Sequence, residues 1–120
     1  MTKSQILRKI QQEFSKNTNS QLLGVLFFGS RVKFKKKELD QNADYDIGVI
    51  YEGKNPQLEI PDNWDLFLWS KNKWQKGFAL QVELVRYAKI LYDPEEIIQN
   101  RFKLIQEKIL PHWLTYLKKF

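Results

Sequence analysis

The sequence predicts an α+β fold, and three observations carry that reading. Apolar residues recur at helical spacing near the start, short apolar runs bounded by turn residues follow in the middle, and a proline-led helix start opens the last quarter. From Ser4 to Phe14, Ile6, Leu7, Ile10 and Phe14 fall on one stripe, and Asn17-Thr18-Asn19-Ser20 ends the segment. An amphipathic helix that covers a sheet face fits this pattern. Leu22 to Phe28 is too short for a helix of that hydrophobicity and reads as a buried strand stopping at Gly29. Asp46 to Tyr51 reads as a second strand, Gly53, Pro56 and Pro61 mark an irregular link, and Trp64 to Trp69 reads as a third.

Lys71 to Tyr87 carries Trp74, Phe78, Ala79, Val82 and Val85 at roughly helical spacing, which predicts a helix; an extended Leu80 to Tyr87 is the alternative. Ile90-Leu91-Tyr92 suits a short edge strand. In Asp93-Pro94-Glu95-Glu96, Asp93 is placed as N-cap, Pro94 as first helical residue and Glu96 for a capping box. The helix they open aligns Ile98, Phe102, Ile105 and Ile109 until Pro111 interrupts it. Trp113, Leu114, Leu117 and Phe120 then resume an apolar face. Without repeats or a linker, residues 1–120 read as a single domain, with a core region over 22–93 and a helical segment over 94–120.

Composition narrows the function classes. The 120 residues are 42% hydrophobic and include no cysteine and one histidine, which excludes disulfides, thiolate metal sites and histidine-rich zinc sites. No apolar run approaches the roughly 20 residues that span a bilayer, and no signal-peptide layout opens the chain. A soluble, cytoplasmic protein with no membrane partner is the expectation. The net charge is +6. Half of that excess lies in one loop, where Arg31, Lys33, Lys35, Lys36 and Lys37 face only Glu38 and Asp40. Such a run suits a triphosphate, an RNA backbone or an acidic protein partner, or it is simply a solvated loop.

Chemistry concentrates around that loop. Asp44 and Asp46 stand two apart at the mouth of a strand, so period-two alternation turns both carboxylates to one face and leaves Tyr45, Ile47 and Val49 for the core. Converging carboxylates repel each other unless a cation lies between them, and hard oxygen ligands select Mg²⁺ or Mn²⁺. Asp65 is the candidate third carboxylate. It shares a strand face with Phe67 and Trp69, and an acid in apolar company calls for a compensating charge. Trp64, Trp69, Trp74 and Trp113 read as core residues rather than base stackers, and His112 as a surface residue.

These residues resemble the DNA polymerase beta-like nucleotidyltransferases, and especially their minimal members. Phe28-Gly29-Ser30, a spacer of thirteen residues, and Asp44-Tyr45-Asp46-Ile47 match the family pattern, and Lys89-Ile90-Leu91-Tyr92-Asp93 resembles its ending. The resemblance spans Leu22 to Asp93, about 60% of the chain. It implies a mixed sheet with helices mainly on one face. It also implies that Asp44, Asp46 and Asp65 are catalytic metal ligands for two Mg²⁺ ions, and that Gly29, Ser30 and Arg31 bind the nucleotide phosphates. Minimal members commonly serve as antitoxins beside HEPN-type toxins, and some move AMP from ATP to a hydroxyl of that toxin. The implied function is therefore a magnesium-dependent transfer of AMP to a partner protein. A binding module that neutralises a toxin by occlusion, and an RNA-binding module, are the alternatives. The link from Tyr51 to Trp64 is shorter than in many relatives, and Glu83 rivals Asp65 as the third carboxylate if residues 82–85 form a strand.

Overall fold

The computed structural model describes residues 2–28, 45–109 and 111. Helix α1 (Lys3–Ser15) opens with a capping box. The Thr2 hydroxyl accepts from the Gln5 backbone N–H, and the Gln5 side chain accepts in turn from the Thr2 N–H. Two of the amides that a helix start leaves without partners are thereby satisfied. Ile6, Ile10 and Phe14, the stripe expected from sequence, are buried.

Strands β1 (Ser20–Phe28), β2 (Tyr45–Gly53), β3 (Trp64–Ser70) and β4 (Lys89–Tyr92) form a mixed sheet in the order β3-β2-β1-β4. β1 runs antiparallel to β2 and β4, whereas β2 and β3 are parallel. Because the side chains of β2 alternate, both faces of the sheet are used. Tyr45, Ile47 and Val49 pack with α1, Val25 and Trp64 on one side, while Ile50 packs with Leu26, Phe28 and Trp69 on the other. Gly48 lies on that second face, where an added Cβ would fall 2.4 Å from the Trp69 ring. Its missing side chain leaves the room that the Trp69 ring occupies over β2.

The parallel β2–β3 connection has no helix of its own and is held instead by the end of α1. Buried Glu13 accepts from the Glu59 backbone N–H at 2.8 Å, and the Asn17 side chain accepts from the Gln57 N–H and donates to the Gln57 carbonyl, both at 3.1 Å. Lys16 donates to the Glu13 carboxylate at 2.8 Å. The hydrogen bonds from Lys16 and the Glu59 amide hold the Glu13 carboxyl down at a pKa of about 2. Leu58 and Ile60 of the connection pack onto the α1 side of the core.

The second face carries the remaining helices. The single helix expected over Lys71 to Tyr87 is two, α2 (Lys71–Lys76) and α3 (Leu80–Tyr87). Gly77 separates them with φ +89°, a conformation that only glycine adopts cheaply. Leu80 to Tyr87 is therefore helical, not extended. α4 (Ile97–Leu104) also starts later than Asp93-Pro94 suggests. A turn in which the Glu96 N–H reaches the Asp93 carbonyl comes first, and Glu96 adopts a left-handed conformation. The Asp93 carboxylate still caps the helix from a distance, accepting from the Ile98 and Gln99 amides at 3.1 and 2.9 Å. After α4 the chain widens into a π-helical turn over Ile105–Ile109, which ends two positions before Pro111. A proline ring cannot sit over the carbonyl four residues back, which favours a widened turn there.

Aromatic side chains fill the space between the sheet and these helices. Trp69 meets Phe78 at 5.0 Å and Trp74 at 5.7 Å between ring centroids, and Phe28 meets Phe67 at 5.3 Å. Trp74 is wholly buried. Trp64, Trp69 and Trp74 are thus core residues, as expected; Trp113 and His112 lie outside the described residues. Among the described residues no helix is long and apolar enough to cross a membrane.

Candidate functional site

Strand register brings two of the three candidate carboxylates together. Asp46 and Asp65 are direct partners in the parallel β2–β3 ladder, and Phe28, the last residue of β1, is the direct partner of Asp46 across the antiparallel ladder. Side chains of directly paired residues point to the same face. Asp46, Asp65 and Phe28 therefore share the face that carries α2, α3 and α4, near one end of the sheet. The chain leaves β1 at Phe28, and the next residues in sequence are Gly29 and Ser30.

Gly29, Ser30, Arg31 and Asp44 lie outside the described residues, as does the lysine-rich loop. Among the described residues no group of three or more histidine, aspartate or glutamate side chains stands close enough to hold a metal ion. The pair that is described has the right chemistry for a hard cation, since each member offers only carboxylate oxygens and the two occupy neighbouring positions on one face.

One expectation about Asp65 needs correction. Its strand neighbours Phe67 and Trp69 do share its face, but Asp65 itself is solvent-exposed, so desolvation creates no demand for a counter-charge. The reason lies in its place as second residue of an edge strand, where solvent reaches a side chain whose neighbours further along are covered. Asp46, on an inner strand, is half-buried.

A cavity of about 260 Å³ opens beside Asp46, lined by Phe28, Phe67, Leu80, Glu83, Leu84 and Tyr87. Its walls are the sheet face on one side and α3 on the other. Glu83 does not come from a strand, as its candidacy for the third carboxylate required; it reaches this cavity from a helix. Glu83 and Tyr87 are four residues apart and so lie on one helical face, a spacing visible in the sequence once the helix is accepted. Sequence reasoning did not single out Tyr87, Leu80 or Phe67 as site residues.

No family model and no curated protein matches the chain. Solved structures do. One is a toxin–antitoxin crystal structure with AMP-PNP, 13% identical, with a TM-score of 0.52 over 98% of both chains. Another is a mutant of the toxin–antitoxin MntA-HpeT in which two aspartates spaced two residues apart are glutamates, 11% identical, with a TM-score of 0.52 over 98% of both chains. At such identities the likeness establishes a shared fold. That fold is a mixed α+β arrangement with a four-stranded mixed sheet and helices packed on both of its faces.

Proposed function

We propose that this chain is the antitoxin-type member of a toxin–antitoxin pair and a nucleotidyltransferase that moves AMP from ATP to a hydroxyl of its partner protein. The observation that carries this reading is the in-register pairing of Asp46 with Asp65 on adjacent parallel strands, beside the strand end from which Gly29-Ser30 departs. The shared fold supports it, because one similar structure is a toxin–antitoxin with an ATP analogue and the other is altered at an aspartate pair with the Asp44-x-Asp46 spacing. The HEPN class of the partner is part of the proposal, resting on the family resemblance.

In this reading Asp46 and Asp65, joined by Asp44, hold Mg²⁺, which when bound neutralises the triphosphate and acidifies the attacking hydroxyl. Gly29 and Ser30 grip the phosphates, and Arg31 offsets the charge of the departing group. The acceptor oxygen forms a bond to the α-phosphorus as the bond to the bridging oxygen breaks. Pyrophosphate leaves, and the hydroxyl proton is lost to water. Phe28, Phe67, Leu80 and Leu84 give the cavity beside half-buried Asp46 a largely apolar wall.

The test is incubation with labelled ATP, Mg²⁺ and the protein encoded beside this chain. Label should move to that protein, and Asp46→Asn should abolish the transfer. Unlabelled partner, or undiminished transfer by Asp46→Asn, refutes the enzyme. Neutralisation that survives replacement of Asp44, Asp46 and Asp65 together would instead establish an antitoxin that acts by occlusion.

A further inference from the structure

A second, larger recess lies on the far side of α3 from the sheet. It is an open groove of about 690 Å³ between α3 and the π-helical turn. Phe78, Val82, Ile105 and Ile109 form an apolar wall, and three cations, Lys76, Arg86 and Arg101, stand around it against one carboxylate, Glu83. Ile109 is 36% exposed, a large apolar side chain at the groove's edge.

The arginine at its base is held in place from two sides. Buried Gln81 donates to the Trp74 carbonyl at 2.9 Å and accepts from Arg101 Nε at 2.9 Å. With its amide fixed by a core residue, Gln81 sets the plane of the guanidinium. On the other side, Gly77 leaves the room the guanidinium occupies, since a Cβ there would fall 2.1 Å from a terminal nitrogen of Arg101. No carboxylate pairs with Lys76, Arg86 or Arg101 among the described residues. Arg86 instead lies over the Tyr87 ring at 5.5 Å. A half-buried guanidinium on the groove's wall, with its Nε committed to the Gln81 amide and a terminal nitrogen seated beside Gly77, is a fixed cation suited to a carboxylate.

We infer that this groove is the docking site for an acidic, apolar segment of a partner protein, with one or more apolar side chains on the Phe78–Ile109 wall and a carboxylate on Arg101. Charge complementarity selects this occupant. A free phosphate would use the cations and leave the apolar wall wet, whereas a purely apolar segment would bury Arg101 without a counter-charge. A carboxylate beside an apolar anchor answers both, and a recess of about 690 Å³ has room for a few side chains of such a segment. Glu83 and Tyr87 line this groove as well as the cavity at Asp46, so a segment seated here lies one helix width from the acids. That it presents the acceptor hydroxyl to them rests on the transferase reading above; the docking itself does not.

The experiment is selection of a displayed random library of peptides of about twelve residues on the intact immobilised chain. Selected peptides should combine Asp or Glu with Leu, Ile or Phe. A synthetic copy of one should lose affinity on the order of tenfold against Arg101→Gln, and comparably against the exposed-site variants Arg86→Glu and Ile109→Glu. ATP binding by these variants should stay unchanged. Asp46→Asn should leave peptide affinity intact even where it abolishes label transfer, which separates failure of the docking site from failure of the enzyme. Selected peptides without acidic residues, affinity indifferent to all three variants, or selection that succeeds only on a chain cut after Pro111 would overturn the inference. In the last case the groove belongs to the chain's own end.

Discussion

Gly48→Ala probes the packing that carries Asp46. The added Cβ would lie 2.4 Å from one carbon of the Trp69 ring and 2.9 Å from the next. Carbon atoms rest at about 3.5–4.0 Å, so the ring has to retreat by about 1 Å. It has little room to do so, because Trp74 and Phe78 stand behind it with centroids 5.7 and 5.0 Å away and Phe28 lies beside it at 6.2 Å. Overpacking a filled core in this way costs about 1–3 kcal/mol, and at about 4 °C per kcal/mol for a chain of this size the midpoint should drop by roughly 4–12 °C. Thermal and urea unfolding, followed by circular dichroism and tryptophan fluorescence, would measure the loss. Pairing the change with Trp69→Leu is the sharper check. Removing the ring makes space for the methyl, so the penalty of Gly48→Ala should shrink by about 1 kcal/mol or more in the double variant. A loss below about 0.5 kcal/mol in the single variant, or strict additivity in the pair, would refute the claim that Gly48 exists to admit Trp69.

Other expectations follow from the same geometry. If Asp65 rather than Glu83 completes the ligand set, Asp65→Asn should lower AMP transfer on the order of a hundredfold or more while Glu83→Gln changes it far less; the reverse ranking in labelled-ATP assays would move the site onto α3. The Glu13 carboxyl is held near pKa 2 against an ordinary 4.5. Its charged form is therefore favoured in the folded chain, and the stability it contributes is fully present above about 4.5 and lost as pH falls from there through about 2. Glu13→Gln should flatten the acid limb of the unfolding curve in that window, and an unchanged limb would remove Glu13 from the account. Asp93→Ala should cost about 1 kcal/mol through loss of its two amide acceptances and should speed hydrogen exchange at Ile98 and Gln99 in particular.

The elements themselves were legible because their signals are local. The stripe of α1, the strand ending before Gly29 and the alternation from Tyr45 to Ile50 all report which side chains need burial, and burial periodicity is written residue by residue. Two boundaries depart from the sequence pattern for equally local reasons. The Lys76-Gly77 stop is hidden inside an apolar pattern that continues with the same period on both sides, and the Asp93-Pro94 start conceals a full turn before α4. The groove at Arg101 left no sequence signal. Gln81 and Arg101 are twenty residues apart and look like ordinary surface residues until α3 and α4 pack together.

By itself the sequence determined which side chains of β2 share a face, Tyr45, Ile47 and Val49 on the α1 side and Asp46 on the other, because alternation along a strand fixes that. It did not determine that Asp65 stands level with Asp46. Partner choice, strand direction and register between distant segments depend on how both sheet faces fill, here by α1 on one side and the aromatic column of Trp69 and Trp74 on the other. Only packing in three dimensions made that choice, and a slip of one residue in the β2–β3 ladder would have turned one carboxylate to the opposite face.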